Sequence, residues 1–200
     1  MAPKNTGLRT LKHLTTAGMG IVAAMWAMAC TEAGIGDPCI PEDEYQVGFA
    51  GYNEKEVSVE SRSFQCETRL CLVNKFRGRV SCKYGQTASQ ADENPVCTTP
   101  DGQEDIVVPV DRQLVDRRPI ESVYCSCRCA GVNGVTDDGA PYCECPSGFR
   151  CEDLIDDWQL GDAQLAGAYC VKEGSNPSPD AIDNIACQDG ECGDRDDPYN

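Results

Sequence analysis

The sequence predicts a small, disulfide-rich, mainly β fold: short antiparallel strands, one short helix and a disordered acidic C-terminal tail. Three observations predict it. Fifteen cysteines lie in 200 residues, and the fourteen that follow residue 38 pair completely into seven disulfides. After residue 29, Leu, Ile, Val and Phe number 31 of 171 residues, about 18%. That is below the roughly 20% under which a highly charged chain stays disordered unless something besides a hydrophobic core holds it. The apolar runs are short, alternate with period 2, and are punctuated by Gly, Asn and Pro. Bridges at about 2–4 kcal/mol each supply what the thin core lacks.

The amino terminus reads as an export signal. Lys4, Arg9 and Lys12 form a basic start, Ala17 to Ala29 an apolar run, and Ala27-Met28-Ala29 a small-residue cleavage site. The run has 13 residues, short of the roughly 20 that a spanning helix needs. It resembles a bacterial lipoprotein signal, in which cleavage before the cysteine leaves Cys30 to carry the lipid. Ala29 and Cys30 fit that pattern; Ala27 stands where the family usually has Leu, Val or Ile. Thr31, in place of Asp, resembles the class sorted to the outer membrane. Residues 1–29 are therefore expected to be a signal peptide and residues 30–38 a lipid-anchored tether. The alternative is an ordinary secretory signal cut at the same bond, giving a secreted or periplasmic soluble chain.

The remaining elements follow in order. The first cysteine region, residues 39–97, holds Cys39, Cys66, Cys71, Cys82 and Cys97. Val57 to Phe64 alternates small or apolar with polar residues and predicts a strand; Leu70–Val73 and Arg79–Cys82 predict two more. Gly85 to Pro95 is polar and aperiodic, and predicts a mobile loop. Residues 98–122 join the two regions; Ile106–Val110 is strand-like, with Pro109 confining it to an edge. The second region, residues 123–172, holds Cys125, Cys127, Cys129, Cys143, Cys145, Cys151 and Cys170. Period-2 spacing puts Cys125, Cys127 and Cys129 on one strand face and Cys143 with Cys145 on another, joined as a hairpin across a Gly- and Asp-rich loop. Leu154, Ile155 and Trp158 at helical spacing predict a short helix around Leu154 to Leu160. Ala166–Val171 predicts a closing strand. Residues 173–200 are expected to be an acidic, largely disordered tail around Cys187 and Cys192.

The three regions hold five, seven and two cysteines. If the last two close on each other, the remaining counts are odd, and at least one bridge joins the first region to the second. Residues 39–172 are thus expected to form a single stapled domain.

Composition excludes several chemistries. His13, the only histidine, lies in the signal, so the mature chain has no Ser-His-Asp triad, no Cys-His pair and no histidine-ligated zinc. No Cys-x-x-Cys occurs, and no phosphate-binding Gly-rich loop. Cys125-x-Cys127-x-Cys129 is dense enough for a thiophilic metal, but exported cysteines read as bridges. Loss of the three basic signal residues takes the formal charge from −16 to −19, a field that repels nucleic acid and anionic lipid. The basic stretch Lys75 to Lys83, with Arg112, Arg117 and Arg118, is expected to be a solvated face paired with carboxylates.

Two resemblances bear on the body. Cys143-Glu-Cys145-Pro-Ser-Gly148-Phe149 resembles the end of an epidermal-growth-factor-like module. Cys151 follows Phe149 too closely for that family, so Pro146 to Gly148 reads as a turn that Phe149 packs over. At larger scale, the run from Gly36 (G-D-P-C-I-P-E-D-E-Y), that from Ser61 (S-R-S-F-Q-C-E-T-R-L-C-L-V) and Y-C-S-C-R-C with Y-C-E-C-P-S-G-F resemble cysteine-rich exported lipoproteins of myxobacterial type. The resemblance implies export and disulfides, and no activity.

The reading that follows is a non-enzymatic cell-envelope lipoprotein acting as a surface binding or structural module. The rival is a disulfide-rich hydrolase inhibitor or a carboxylate-based enzyme acting on envelope polymers. No cofactor, metal or nucleic acid is expected. The expected partners are the membrane, through the lipid, and an envelope or extracellular protein; weak divalent-cation association is expected along Asp180 to Asp197.

Overall fold

The period-2 segments build two three-stranded antiparallel sheets. The computed structural model describes residues 34–156, 165–188 and 192, which belong to one compact unit. Strands β1 (Val57–Glu60), β2 (Leu70–Asn74) and β3 (Val123–Ser126) form the first sheet in that order. Strands β4 (Arg128–Ala130), β5 (Phe149–Ile155) and β6 (Gly167–Lys172) form the second, in the order β4-β6-β5. Among the described residues the helices are short: α1 (Ala88–Glu93), α2 (Pro119–Ser122) and single 3-10 turns such as Glu42–Tyr45. No described helix is long and apolar enough to cross a membrane.

Seven disulfides staple this frame: Cys39–Cys71, Cys66–Cys125, Cys82–Cys97, Cys127–Cys143, Cys129–Cys151, Cys145–Cys170 and Cys187–Cys192. Cys187 closes on Cys192, and Cys66–Cys125 joins the first cysteine region to the second, as the odd counts then require. Register alone does not choose partners. Cys71 lies opposite Cys125, and Cys151 opposite Cys170, yet neither facing pair is bonded. The apolar clusters form around sulfur. Cys39, Cys66, Cys71 and Cys125 pack with Val73, Phe76, Val80 and Val123, while Cys127, Cys129 and Cys170 pack with Ala130 and Ala168. β4 and β6 approach closely because Gly167, at φ +129, has no Cβ; one built there meets the Ala130 carbonyl oxygen at 2.4 Å.

Several local expectations give way to tertiary contacts. Leu154 and Ile155, expected in a helix, end strand β5, whose backbone pairs with β6 from Phe149↔Lys172 to Ile155↔Gly167. Trp158 and Leu160 lie outside the described residues. The expected loop at 85–95 contains α1, started by a capping box in which Thr87 Oγ1 accepts from Gln90 N–H and Gln90 Oε1 accepts from Thr87 N–H. Arg79–Cys82 closes as a turn, not a strand, with Cys82 N–H donating to Arg79 O at 3.3 Å. The 125–129 strand breaks at Cys127, and β4 pairs with β6 rather than with Cys143–Cys145. Cys143 N–H donates to Arg128 O at 3.1 Å. At the predicted turn, Phe149 N–H donates to Pro146 O at 3.1 Å, and the Phe149 ring lies edge-on to Tyr124 and against Gly36.

Both flanks of the body are more ordered than composition implied. At the end of the expected tether, Gly36 N–H bonds to Cys125 O at 2.8 Å and Pro38 bridges to Tyr124. Part of the expected tail packs on the body. Val115 N–H donates to Ile185 O at 3.0 Å, Cys187 N–H to Gln113 O at 2.8 Å, and Ile182 is buried. Residues 189–191 and 193–200 lie outside the described residues.

The basic stretch departs most from expectation. Arg79 and Arg117 are buried, not solvated. Among the described residues Arg117 forms no ion pair; it donates to Lys75 O at 3.0 Å, to Ser175 O at 2.7 Å and to Asn74 O. Lys75 Nζ reaches Pro177 O at 2.6 Å. These cations tie the 175–177 segment to the end of β2. A guanidinium has five donors, enough to gather loop carbonyls that no strand partner satisfies.

Candidate functional site

Cys30, the expected lipidation site, lies outside the described residues. Sulfur chemistry elsewhere is consumed by bridges. Cys127, Cys143 and Cys170 bring their Sγ atoms together, as do Cys129, Cys145 and Cys170, and Cys39, Cys66 and Cys125. Each of these sulfurs is in a disulfide, which leaves no thiolate to ligate a metal.

The feature that stands out on the surface is the loop between β1 and β2. Phe64, at its tip, is 83% exposed, although its neighbours hold it firmly. Two residues on, Cys66 is bonded to Cys125 in β3. Gln65 Oε1 accepts from Ile40 N–H at 3.0 Å while Gln65 Nε2 donates to Ile40 O at 2.6 Å. Thr68 Oγ1 donates to Ser126 O at 2.5 Å. Ser63 N–H to Arg69 O, 3.1 Å, and Arg69 N–H to Cys66 O, 2.9 Å, close the loop on itself. Arg69, in the left-handed region at φ 63, carries its guanidinium over the Phe64 ring at 5.0 Å. Exposed Arg62 flanks the tip. A large apolar ring is thus presented on backbone that loses little entropy on binding. Sequence periodicity missed this, because it continued β1 through Phe64. The available signal was a lone aromatic in a polar run, two residues before a cysteine.

Beside the loop's root lies a shallow groove of about 220 Å³. Val59, Val73, Pro41 and the Tyr52 ring give it apolar walls; Glu42, Asp43 and Glu60 bring carboxylates. The 3-10 turn Glu42–Tyr45 and strand β1 position these acids, and Glu42 N–H donates to Glu60 Oε2 at 3.1 Å. Partial burial, with the negative charge of Glu42 and Asp43, raises the Glu60 carboxyl above its ordinary range. Tyr52 is raised likewise, by burial first and then by Asp43, Glu44 and Glu60. The groove is smaller than the roughly 300–1,000 Å³ of small-molecule sites.

A broader, open groove of about 670 Å³ lies between α1 and the 109–112 segment, lined by Tyr84, Thr87, Gln90, Pro109, Asp111 and Arg112. Its wall is stiffened by buried Gln86. Gln86 Nε2 donates to Ile106 O and Val108 O at 2.7 and 2.8 Å, and its Oε1 accepts from Val96 and Cys97 N–H at 3.1 and 3.2 Å.

No family model matches this chain, and no curated protein or solved structure matches it.

Proposed function

We propose that this chain is a non-enzymatic cell-envelope lipoprotein, exported and held to the outer membrane through lipid on Cys30, that acts as a surface binding module. Its recognition element is the Phe64 loop. The observation that carries the reading is a fully displayed aromatic on a loop pinned by Cys66–Cys125 and by the paired Gln65–Ile40 bonds. Aromatic side chains dominate binding hot spots, and a rigid loop avoids the ordering cost of association. The seven bridges suit an oxidising compartment, in keeping with the signal-like amino terminus. Several acyl chains on one cysteine give stable anchoring where a single chain does not.

Two measurements test it. Cys30→Ser, followed by fractionation and intact mass, should move the protein out of the detergent phase and remove the acyl mass; unchanged partitioning would sink the anchor. A photo-reactive phenylalanine analogue at position 64 should cross-link in intact cells, while the same probe at exposed Val135 should not. Equal yields at both positions would remove the loop's special role. A second reading, hydrolase inhibition, is favoured by the same braced loop. It requires that the purified protein inhibit a protease with an apolar specificity pocket, and that Phe64→Ala abolish the inhibition.

A further inference from the structure

The acidic groove and the aromatic loop are complementary and adjacent, and we infer that the loop's partner is a second copy of this chain: Phe64 of one molecule seats in the groove between Pro41, Tyr52, Val59 and Val73 of the other. This rests on the reading of the Phe64 loop as the recognition element and names its occupant.

Size selects the groove. A cavity of about 150 Å³ holds a benzene ring, so a space of about 220 Å³ takes a phenyl side chain with little to spare. The broader groove, at about 670 Å³, leaves most of its volume unfilled. Charge selects it as well. Arg62 and Arg69 flank Phe64, on a chain whose formal charge is −16. Glu42, Asp43 and Glu60 rim the groove, and none of the three forms an ion pair among the described residues. Docking sets the two arginines of one copy against the acids of the other, relieving the mutual repulsion of those carboxylates. Glu60 ends β1 and lines the groove, and Gln65, next to Phe64, is bonded to Ile40, which precedes the groove's Pro41, so the loop springs from the groove's edge. That adjacency permits a two-fold arrangement in which each copy gives a loop and receives one, the commonest closed form of homo-oligomer. The overall negative charge opposes association, so the contact is weak in free solution. Anchoring in one leaflet raises the effective concentration enough for a weak contact to be populated.

Sedimentation equilibrium of the full exported chain carrying Cys30→Ser tests this. A concentration-dependent monomer–dimer equilibrium is expected. Phe64→Ala should weaken it about tenfold or more. Arg62→Glu and Asp43→Arg should each weaken it, and their combination should restore it to within about threefold of the parent, a coupling that only a direct contact produces. Circular dichroism and a free-thiol count establish that each variant is folded. A chain that stays monomeric up to about 1 mM, millimolar affinity being the weak end of specific binding, overturns the inference, as does a dimer indifferent to Phe64→Ala or charge reversals that merely add. Cross-linking at position 64 to a different envelope component, by a monomeric chain, overturns self-association and leaves the binding module standing. Cross-linking at position 64 to nothing removes both.

Discussion

Glu44 and Arg79 form an ion pair with both side chains fully buried, Arg79 Nε lying 3.5 Å from Glu44 Oε2. The carboxylate also accepts from Val80 N–H at 2.6 Å, Ser81 N–H at 3.1 Å and Ser81 Oγ at 2.6 Å. The guanidinium donates to Phe49 O at 2.6 Å, Gln46 O at 3.2 Å and Glu44 O, and lies over the Phe49 ring. The pair ties the 42–49 segment to the turn after β2, where no strand pairing is available. Breaking it leaves an uncompensated buried charge, so Arg79→Met should destabilise by about 3–5 kcal/mol. Arg118→Ala, which breaks a half-exposed pair with Glu121, should cost less than about 1 kcal/mol. Denaturant unfolding with disulfides intact measures both, and equal costs would contradict the assignment.

Gln86 replaces a strand partner for four backbone groups. Gln86→Leu keeps its bulk but leaves two N–H and two C=O groups unpaired, and should cost on the order of 3 kcal/mol. Hydrogen exchange should accelerate at Val96 and Cys97 first. Unchanged protection there would show that the side chain is not what holds that loop.

The bridges differ in what they constrain. Cys66–Cys125 spans 59 residues and Cys187–Cys192 spans 5. Loop-closure entropy assigns about 4 kcal/mol to the first and about 2 kcal/mol to the second. Paired alanine replacements should reproduce that order in thermal unfolding; the reverse order would count against the entropic account for this chain.

Tyrosine titration gives the alkaline limit of stability. Burial raises Tyr169 to about 12 and raises Tyr124 above its ordinary value. The unfolded chain ionises first, near pH 10, so the stability these phenols contribute is complete below that pH and is lost as pH climbs toward about 12. Phenolate absorbance should appear later in the native protein than in the reduced, denatured chain. Coincident titrations would show that the two rings are not buried.

Much of the frame was legible. Val57–Glu60 alternates apolar with polar residues, and Leu70–Val73 and Gly167–Val171 are short, mostly apolar runs, a signal carried within each segment. Helical spacing at Leu154 and Ile155 misled, since β6 pairs with β5 out to Ile155↔Gly167 and carries Leu154 along in an irregularity of the register. The candidate site was not legible: Phe64 is exposed because Cys66, Gln65 and Thr68 are held by Cys125, Ile40 and Ser126, the nearest of them 25 residues away in sequence.

The class of the fold and the need for cross-links follow from composition: a chain so poor in Leu, Ile, Val and Phe lacks a sufficient apolar core, and its even set of cysteines offers covalent staples instead. With Cys187 and Cys192 closed on each other, cysteine parity also required a bridge between the two regions. Which cysteines bond, that Arg79 and Arg117 lie inside and that Phe64 lies outside emerge with the folded chain. Those outcomes depend on partners distant in the chain, such as Ser175, 58 residues beyond Arg117. Burial of a charge or display of a ring is set by what surrounds it in space, and local composition carries no record of that.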